Sequence, residues 1–294
     1  MTTPAPTGDA PAGAFVDLHS HSTASDGHVP PAAVVRAARA ASLAAMALTD
    51  HDTVDGVAEA QAAGEALGVR VVAGCELSAH LGEYEIHLLA LHLDRVDLIA
   101  TELARFRDDR VSRAERMVAL LTGQGVALTM ADVLREAGGG AVGRPHVARA
   151  VVAAGGARDV REAFDRFLGD GRPAYVDKPR LDAAEAIRLA HSAGGIAVWA
   201  HPKAEGRRDR VEPLVAAGLD GLEVLHPVHN ADDRARLQAL ADFFGLVTSG
   251  GSDWHGVPDH PRTMGVMQVP LAVLERQDAR VAARRRAGAD VARG

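Results

Sequence analysis

A chain of 294 residues with 47% hydrophobic and 24% charged residues has the make-up of an ordinary globular protein, long enough for one large domain or two of usual size. A net charge of −7 gives no general attraction to nucleic acid, so long duplex nucleic acid is not an expected partner. The single cysteine, Cys75, excludes an intrachain disulfide and a cysteine-based zinc framework, and no apolar run reaches the roughly eighteen residues of a membrane span.

Residues 1–13 are rich in Pro, Ala, Gly and Thr and lack an apolar signal core. They are expected to form a disordered lead, with a cytoplasmic protein as the default. From residue 14 onward, short apolar runs alternate with helical patterns. Strands are expected at 14–18, 45–49, 69–73, 85–91, 196–200, 221–225 and 246–249. The intervening stretch 30–42 opens on two prolines, which suit a first helical turn, and 53–68 ends on a glycine stop. Stretches 181–195 and 230–245 begin with Asp or Asn caps and end in glycine. Repeated strand–helix units imply a parallel sheet, and about seven of them suggest a closed barrel. Between 95 and 182 the patterns are helical throughout, so this segment is expected to be an insertion domain interrupting a barrel built from 14–94 and 183–270. The tail 271–294 is charged, shows no clear apolar face and is expected to be frayed helix or disorder.

Ligand-type residues fall in register with these strands. His19 and His21 follow the first strand, in "DLHSHSTASDG", with Asp26 five residues later. An i, i+2 pair at a strand end sends both imidazoles to one side, which suggests a metal. His51 follows the second strand, Glu76 the third, His201 the fifth and His226 the sixth; His87 lies in the fourth, and Asp253 and His255 follow the seventh. Taken singly, a histidine after a strand is more often a surface or capping residue than a ligand. In a parallel barrel, however, strand C-termini converge on the face where such folds build active sites, and one barrel mouth explains all of them.

The motifs "DLHSHSTASDG", "LTDHDT", "GCELSA", "EIHLLAL", "WAHP" and "GSDWHG" together resemble the polymerase and histidinol phosphatase (PHP) family. The likeness spans residues 15–256 and is strongest to stand-alone phosphoesterases with a helical insertion, among them 3′,5′-nucleoside bisphosphate phosphatases and 5′→3′ oligoribonuclease-like members. It implies a distorted (β/α)7 barrel with a trinuclear site. Carried over motif by motif, it implies one metal on His19, His21, Glu76 and Asp253. A second would share Glu76 and add His87 and His201, and a third would sit on Asp26, His51 and His255. Some members carry histidine where Asp26 stands here, so the third site is harder and more negative in this chain.

The donor set holds nitrogen and oxygen only, which suits Mn²⁺ with Fe²⁺ or Zn²⁺ as alternatives and disfavours an all-Mg²⁺ site. Three divalent ions offset by Asp26, Glu76 and Asp253 leave roughly +3, matched to a phosphate dianion plus hydroxide. The expected chemistry is metal-assisted hydrolysis, with a metal-bridging hydroxide attacking phosphorus in line. His226 and His229, in "LHPVHN", are candidates for protonating the leaving group or supporting the site. The insertion is expected to supply substrate contacts: Arg144, a planar bidentate phosphate donor, with His146 in "GRPH", and Lys178 in "YVDKPR".

The reading that results is a phosphoesterase acting on a small nucleotide or short 5′-phosphorylated RNA, with Glu76, Asp253 and His226 in catalysis and with oligomeric state open. A histidinol-phosphatase-like monoesterase is the alternative within the same chemistry. A metal-dependent amidohydrolase would be expected to use a metal-bridging lysine, and none stands at a strand end. A degenerate, non-enzymatic barrel would not be expected to keep all nine ligand positions.

Overall fold

The structure is a computed structural model that describes residues 14–138, 142–177, 180–258 and 261–291; the expected disordered lead 1–13 and Lys178 lie outside the described residues. The chain divides into two compact units, one of Met1–Ala100 with Leu181–Gly294 and the other of Thr101–Arg180.

In the first unit β1 (Phe15–Asp17) leads to α1 (Pro31–Ala40), β2 (Ala45–Leu48), α2 (Val57–Leu67), β3 (Arg70–Leu81) and β4 (Tyr84–Leu91). Glycine ends α2, with Gly68 at φ 68°, the left-handed conformation that stops a helix. The strand faces are sorted by their side chains. Val16, Leu18, Ala45 and Ala47 join Leu89, Leu91, Ile196 and Val198 in one core, while Met46 and Leu48 pack with Val34, Val35 and Ala38 of α1.

The second unit takes up most of α3 (Val96–Gly123), then α4 (Met130–Ala137), α5 (Arg144–Ala153) and α6 (Val160–Ala163), which runs on into a π-helical turn at Phe164–Leu168. No strand occurs among its described residues. It has a core of its own, in which Met117, Leu121, Val133, Val147, Val151 and Leu168 are buried. Thr129 and Asp132 cap α4 reciprocally, each side chain accepting the other's backbone N–H.

The chain then returns to the first unit with α7 (Ala183–Ser192), β5 (Ile196–Trp199), α8 (Arg208–Ala216), β6 (Gly221–Leu225), α9 (Ala231–Phe244), β7 (Val247–Gly250), β8 (Val269–Pro270) and α10 (Leu271–Val291). The sheet order is β7-β6-β5-β4-β3-β2-β1-β8. It curls until the segments that follow its first and seventh strands meet. Leu18 N–H donates to Gly250 O at 3.1 Å, Asp253 N–H to His19 O at 2.9 Å and His21 N–H to Trp254 O at 2.8 Å. The result is a nearly closed, distorted barrel.

Two expectations are corrected. The sheet is not wholly parallel: β3 pairs antiparallel with β4, β4 antiparallel with β5, and β8 antiparallel with β1. The expected third strand stopped at residue 73, but β3 runs on to Leu81 and turns back through Gly82 and Glu83, with Gly82 at φ 59°. A two-residue hairpin turn needs that left-handed glycine.

Over its described residues, 271–291, the tail is also helical and docked. Helix α10 contributes Val273, Leu274 and Val281 to the barrel core. Several of its charges have partners on the barrel. Asp278 takes a two-pronged ion pair from Arg70 at 2.7 and 2.6 Å, and Arg284 Nε lies 3.0 Å from the buried Asp220. Gln277, fully buried, donates to Thr248 O at 2.9 Å. No helix among the described residues is long and apolar enough to cross a membrane.

Leu274→Ala removes a fully buried side chain of α10. It should lower the unfolding free energy by about 2–5 kcal/mol, read from the urea midpoint. A loss below about 0.5 kcal/mol, the range of a surface change, would contradict docking of this helix.

Candidate metal centre

The barrel seam delivers the first ligand-type residues. His19 and His21 lie just past β1, both fully buried, with ring centroids 5.1 Å apart. Their backbone is pinned from below. Asp17 accepts the N–H of Ser252 at 2.9 Å on one oxygen and that of Gly265 at 2.7 Å on the other. Gly251 passes so close to His19 that a Cβ there would stand 2.4 Å from the His19 Cβ. Only glycine allows that approach. Asp50 orders the next loop by accepting Ser22 N–H at 2.7 Å, Ser22 Oγ–H at 2.8 Å and Ser25 Oγ–H at 2.7 Å.

Glu76 is the centre of the arrangement. It lies within β3, not after it, and is fully buried. Its Oε2 is 2.9 Å from His19 Nε2, 3.2 Å from His21 Nε2 and 3.5 Å from His51 Nδ1. Its Oε1 is 2.7 Å from His87 Nδ1 and 2.9 Å from His201 Nε2. One carboxylate thus faces five imidazoles, with its two oxygens turned to different sets. Burial opposes its charge, but His19, His201 and His21 outweigh burial and hold the carboxyl well below its usual range.

Asp253 and His255 close the site from the β7 side. Asp253 Oδ1 is 3.2 Å from His21 Nε2 and 3.6 Å from His19 Nε2; its Oδ2 accepts from Arg262 at 2.5 Å and lies 3.6 Å from His226 Nε2. Asp26 Oδ1 is 3.3 Å from His255 Nε2, and its Oδ2 is 3.9 Å from His51 Nε2. Burial works against Asp26's charge too, yet His255 and His51 bring its carboxyl down to about 2. Non-glycine residues at positive φ gather here: Asp52 at 49°, His201 at 30° and Asp253 at 53°. Such conformations cost energy and persist where the surroundings over-determine them.

The donors suit divalent ions. Ligand atoms lie within 4.8 Å of one another in the groups His19, His21, Glu76, Asp253; His21, Asp26, His51, His255; and His51, Glu76, His87. Among the described residues, both ring nitrogens of His21 are buried without a hydrogen-bond partner. An unpaired buried nitrogen is costly, and a cation between this ring and the carboxylates of Glu76 and Asp253 would use one. His19 makes the same point: its ring is flanked by Glu76 on one side and Glu223 on the other. Burial disfavours a charged ring, but Glu76 and Glu223 push its pKa well above the ordinary value, so a positive charge is demanded at that place.

The other expected site residues fall differently. His226 Nδ1 accepts the Val228 N–H at 3.2 Å, so its Nε2 carries the proton in the neutral ring. His229, expected at the substrate, is nearly fully buried and has no nitrogen to spare. Its Nδ1–H donates to Val224 O at 3.0 Å and its Nε2 accepts the Lys203 N–H at 3.1 Å. Its role is to hold the loops after β5 and β6. In the second unit, His146 accepts the Gly143 N–H at 2.9 Å and so caps α5. Arg144 pairs with Asp170 at 2.8 Å and lies over the Tyr175 ring, 5.2 Å from its centroid.

Three participants escape sequence inspection: Asp50, Arg262 and Glu223. A detectable signal exists for Glu223. An acid inside the apolar run of β6 (Gly221-Leu222-Glu223-Val224-Leu225) is rare in a buried strand unless it is paired.

Comparison with known proteins agrees with this geometry. Residues 17–168 match the PHP domain family model. A 3′,5′-nucleoside bisphosphate phosphatase of Chromobacterium violaceum is 36% identical over 259 residues, covering 86% of this chain and 91% of the relative. A 5′-3′ exoribonuclease of Haemophilus influenzae is 35% identical over 247 residues, covering 81% and 89%. The crystal structure of a candidate metal-dependent phosphoesterase of Bifidobacterium adolescentis superposes with a TM-score of 0.68 at 32% identity, covering 92% of this chain and 98% of that one. A distorted barrel whose imidazoles and carboxylates converge at one mouth, together with these matches, places the chain in the PHP family, as a metal-dependent hydrolase of phosphate esters.

Proposed function

We propose that this chain hydrolyses a phosphate ester of a small nucleotide, a nucleoside 3′,5′-bisphosphate or a short 5′-phosphorylated oligoribonucleotide, with up to three divalent ions at the barrel mouth. The observation that carries the reading is Glu76, whose two oxygens face separate sets of imidazoles as a bridging carboxylate must. The nucleotide class rests on the named activities of the bisphosphatase and exoribonuclease relatives. Divalent ions such as Mn²⁺, Fe²⁺ or Zn²⁺ supply Lewis acidity and a water of lowered pKa.

The chain's own residues do the rest. Glu76 and Asp253, with His19, His21, His87 and His201, hold the charge that a phosphate dianion answers. Asp26, His51 and His255 form the third set. Arg262, on Asp253 Oδ2, brings a guanidinium suited to phosphoryl oxygens to the cavity it lines with Asp253, His255 and Val257. His226 keeps its proton on Nε2, toward Asp253, and is our candidate donor to the leaving oxygen. Arg144 would have to exchange Asp170, an exposed partner, for a second substrate phosphate.

Hydrolysis by the Mn²⁺-loaded protein should be greatest with nucleoside 3′,5′-bisphosphates, read as released phosphate, or with short 5′-phosphorylated oligoribonucleotides, read as released mononucleotide. Greater release from histidinol phosphate would move the substrate out of the nucleotide class. Turnover of amides without turnover of phosphate esters would reject the reading altogether.

Elemental analysis after loading should give more than one ion per chain, and Glu76→Gln should lower both metal content and turnover, the latter by at least about a hundredfold, as expected when two ion positions share one carboxylate. Near-normal turnover in Glu76→Gln would rule out the bridging role.

A further inference from the structure

Glu223 is fully buried in β6. A carboxylate so placed is costly unless both oxygens are used. They are used, and by two different parts of the site. Oε1 lies 3.0 Å from Nδ1 of His19, and Oε2 accepts the backbone N–H of His201 at 2.8 Å.

Each contact has a chemical consequence. Both nitrogens of His19 face a carboxylate, but only Nε2 faces the one that other imidazoles share, Glu76 at 2.9 Å, with Asp253 at 3.6 Å. A neutral ring holds one proton, so with Nε2 given to an ion the proton stays on Nδ1, where Glu223 accepts it. The second contact holds the main chain at His201, whose φ of 30° needs external support. The His201 ring then reaches Glu76 Oε1 at 2.9 Å, on the opposite oxygen from His19. One side chain of β6 thus governs a residue beyond β1 and another beyond β5, on the two sides of the same bridging carboxylate.

We propose that Glu223 is a positioning residue of the metal centre: through His19 it selects which ring nitrogen faces the ions, and through the His201 main chain it fixes the partner ligand on the far oxygen of Glu76. The proposal rests on the metal-dependent reading above and adds to it a residue outside the ligand set. A hydrogen-bonded carboxylate behind a ligating histidine typically changes metal affinity by about ten- to a hundredfold when removed.

The test compares Glu223→Gln, Glu223→Asp and wild type, each as the full chain, by Mn²⁺ affinity in chelator competition and by thermal unfolding of the chelator-treated protein. Glutamine keeps the shape but has one acceptor for two donors, so one of His19 Nδ1–H and His201 N–H must face an N–H group. The expected result is an affinity about ten- to a hundredfold weaker in Glu223→Gln, partly restored in Glu223→Asp, with unfolding of the chelated proteins unchanged. Wild-type affinity in both variants would overturn the proposal and leave the proposed function standing. A fall in the unfolding temperature of the chelated variants with affinity unchanged would make Glu223 a purely structural residue and also overturn it. A wild-type chain that binds no divalent ion would sink this proposal together with the function it rests on.

Discussion

The site depends on a seam. Where the sheet curls round, the chain leaving β1 meets the chain leaving β7, and three main-chain hydrogen bonds join Leu18 to Gly250, His19 to Asp253 and His21 to Trp254. These bonds do two things at once. They nearly close the barrel, and they set two imidazoles beside the carboxylate of Asp253. Asp17 clamps the same junction from the buried side through Ser252 and Gly265. A backbone pairing is directional and has little slack. Side chains carried by it inherit that precision, which a site assembled from loops alone would lack.

Within this frame the electrostatics are deliberately unbalanced. Glu76, Glu223 and Asp253 keep their charges against burial because imidazoles crowd around them. His21, in the middle, has no hydrogen-bond partner at either nitrogen. A fold that left such groups together for no purpose would lose stability, since partly satisfied buried networks are worse than apolar cores. Three non-glycine residues at positive φ add to that cost. Sequence and structure therefore converge on a place where the fold gives up stability to hold cation-binding groups.

Much of this was legible in the sequence, for a physical reason. Most of the strands are built on short apolar runs, and most of the ligand-type residues stand just past such a run, so period and position could be read together. The failures are as instructive. Gly74 and Glu76 interrupt the apolar pattern of β3, which made its end seem to fall at residue 73; pairing with β4 overrides that interruption. The turn at Gly82 and Glu83 lacks the Asn-Gly signature that announces a hairpin. Helix α10 reads as a charged tail because its docking face is itself partly polar: Asp278, Arg284 and the neutral Gln277 all have partners on the barrel. His229 cannot be told from a ligand by type. Only its two hydrogen bonds, to Val224 and Lys203, remove it from the site.

The clamp at Asp17 also bears on how the protein is made. Asp17 and Ser252 are separated by 235 positions, yet they touch. Strand β8, which flanks β1, and helix α10, which supplies Val273 and Leu274 to the barrel core, come later still. On a ribosome β1 would therefore soon be joined by its neighbour β2, but it would emerge long before β8 at its other edge and β7 across the seam. Closing so long a loop carries an entropic cost that only the late contacts return. His19 and His21 must wait for their seam partners until Asp253 and Trp254 have been made, and only then can the centre take its form. A nascent chain stopped before residue 250 would carry most of the imidazoles but lack Asp253 and the seam that sets His19 and His21.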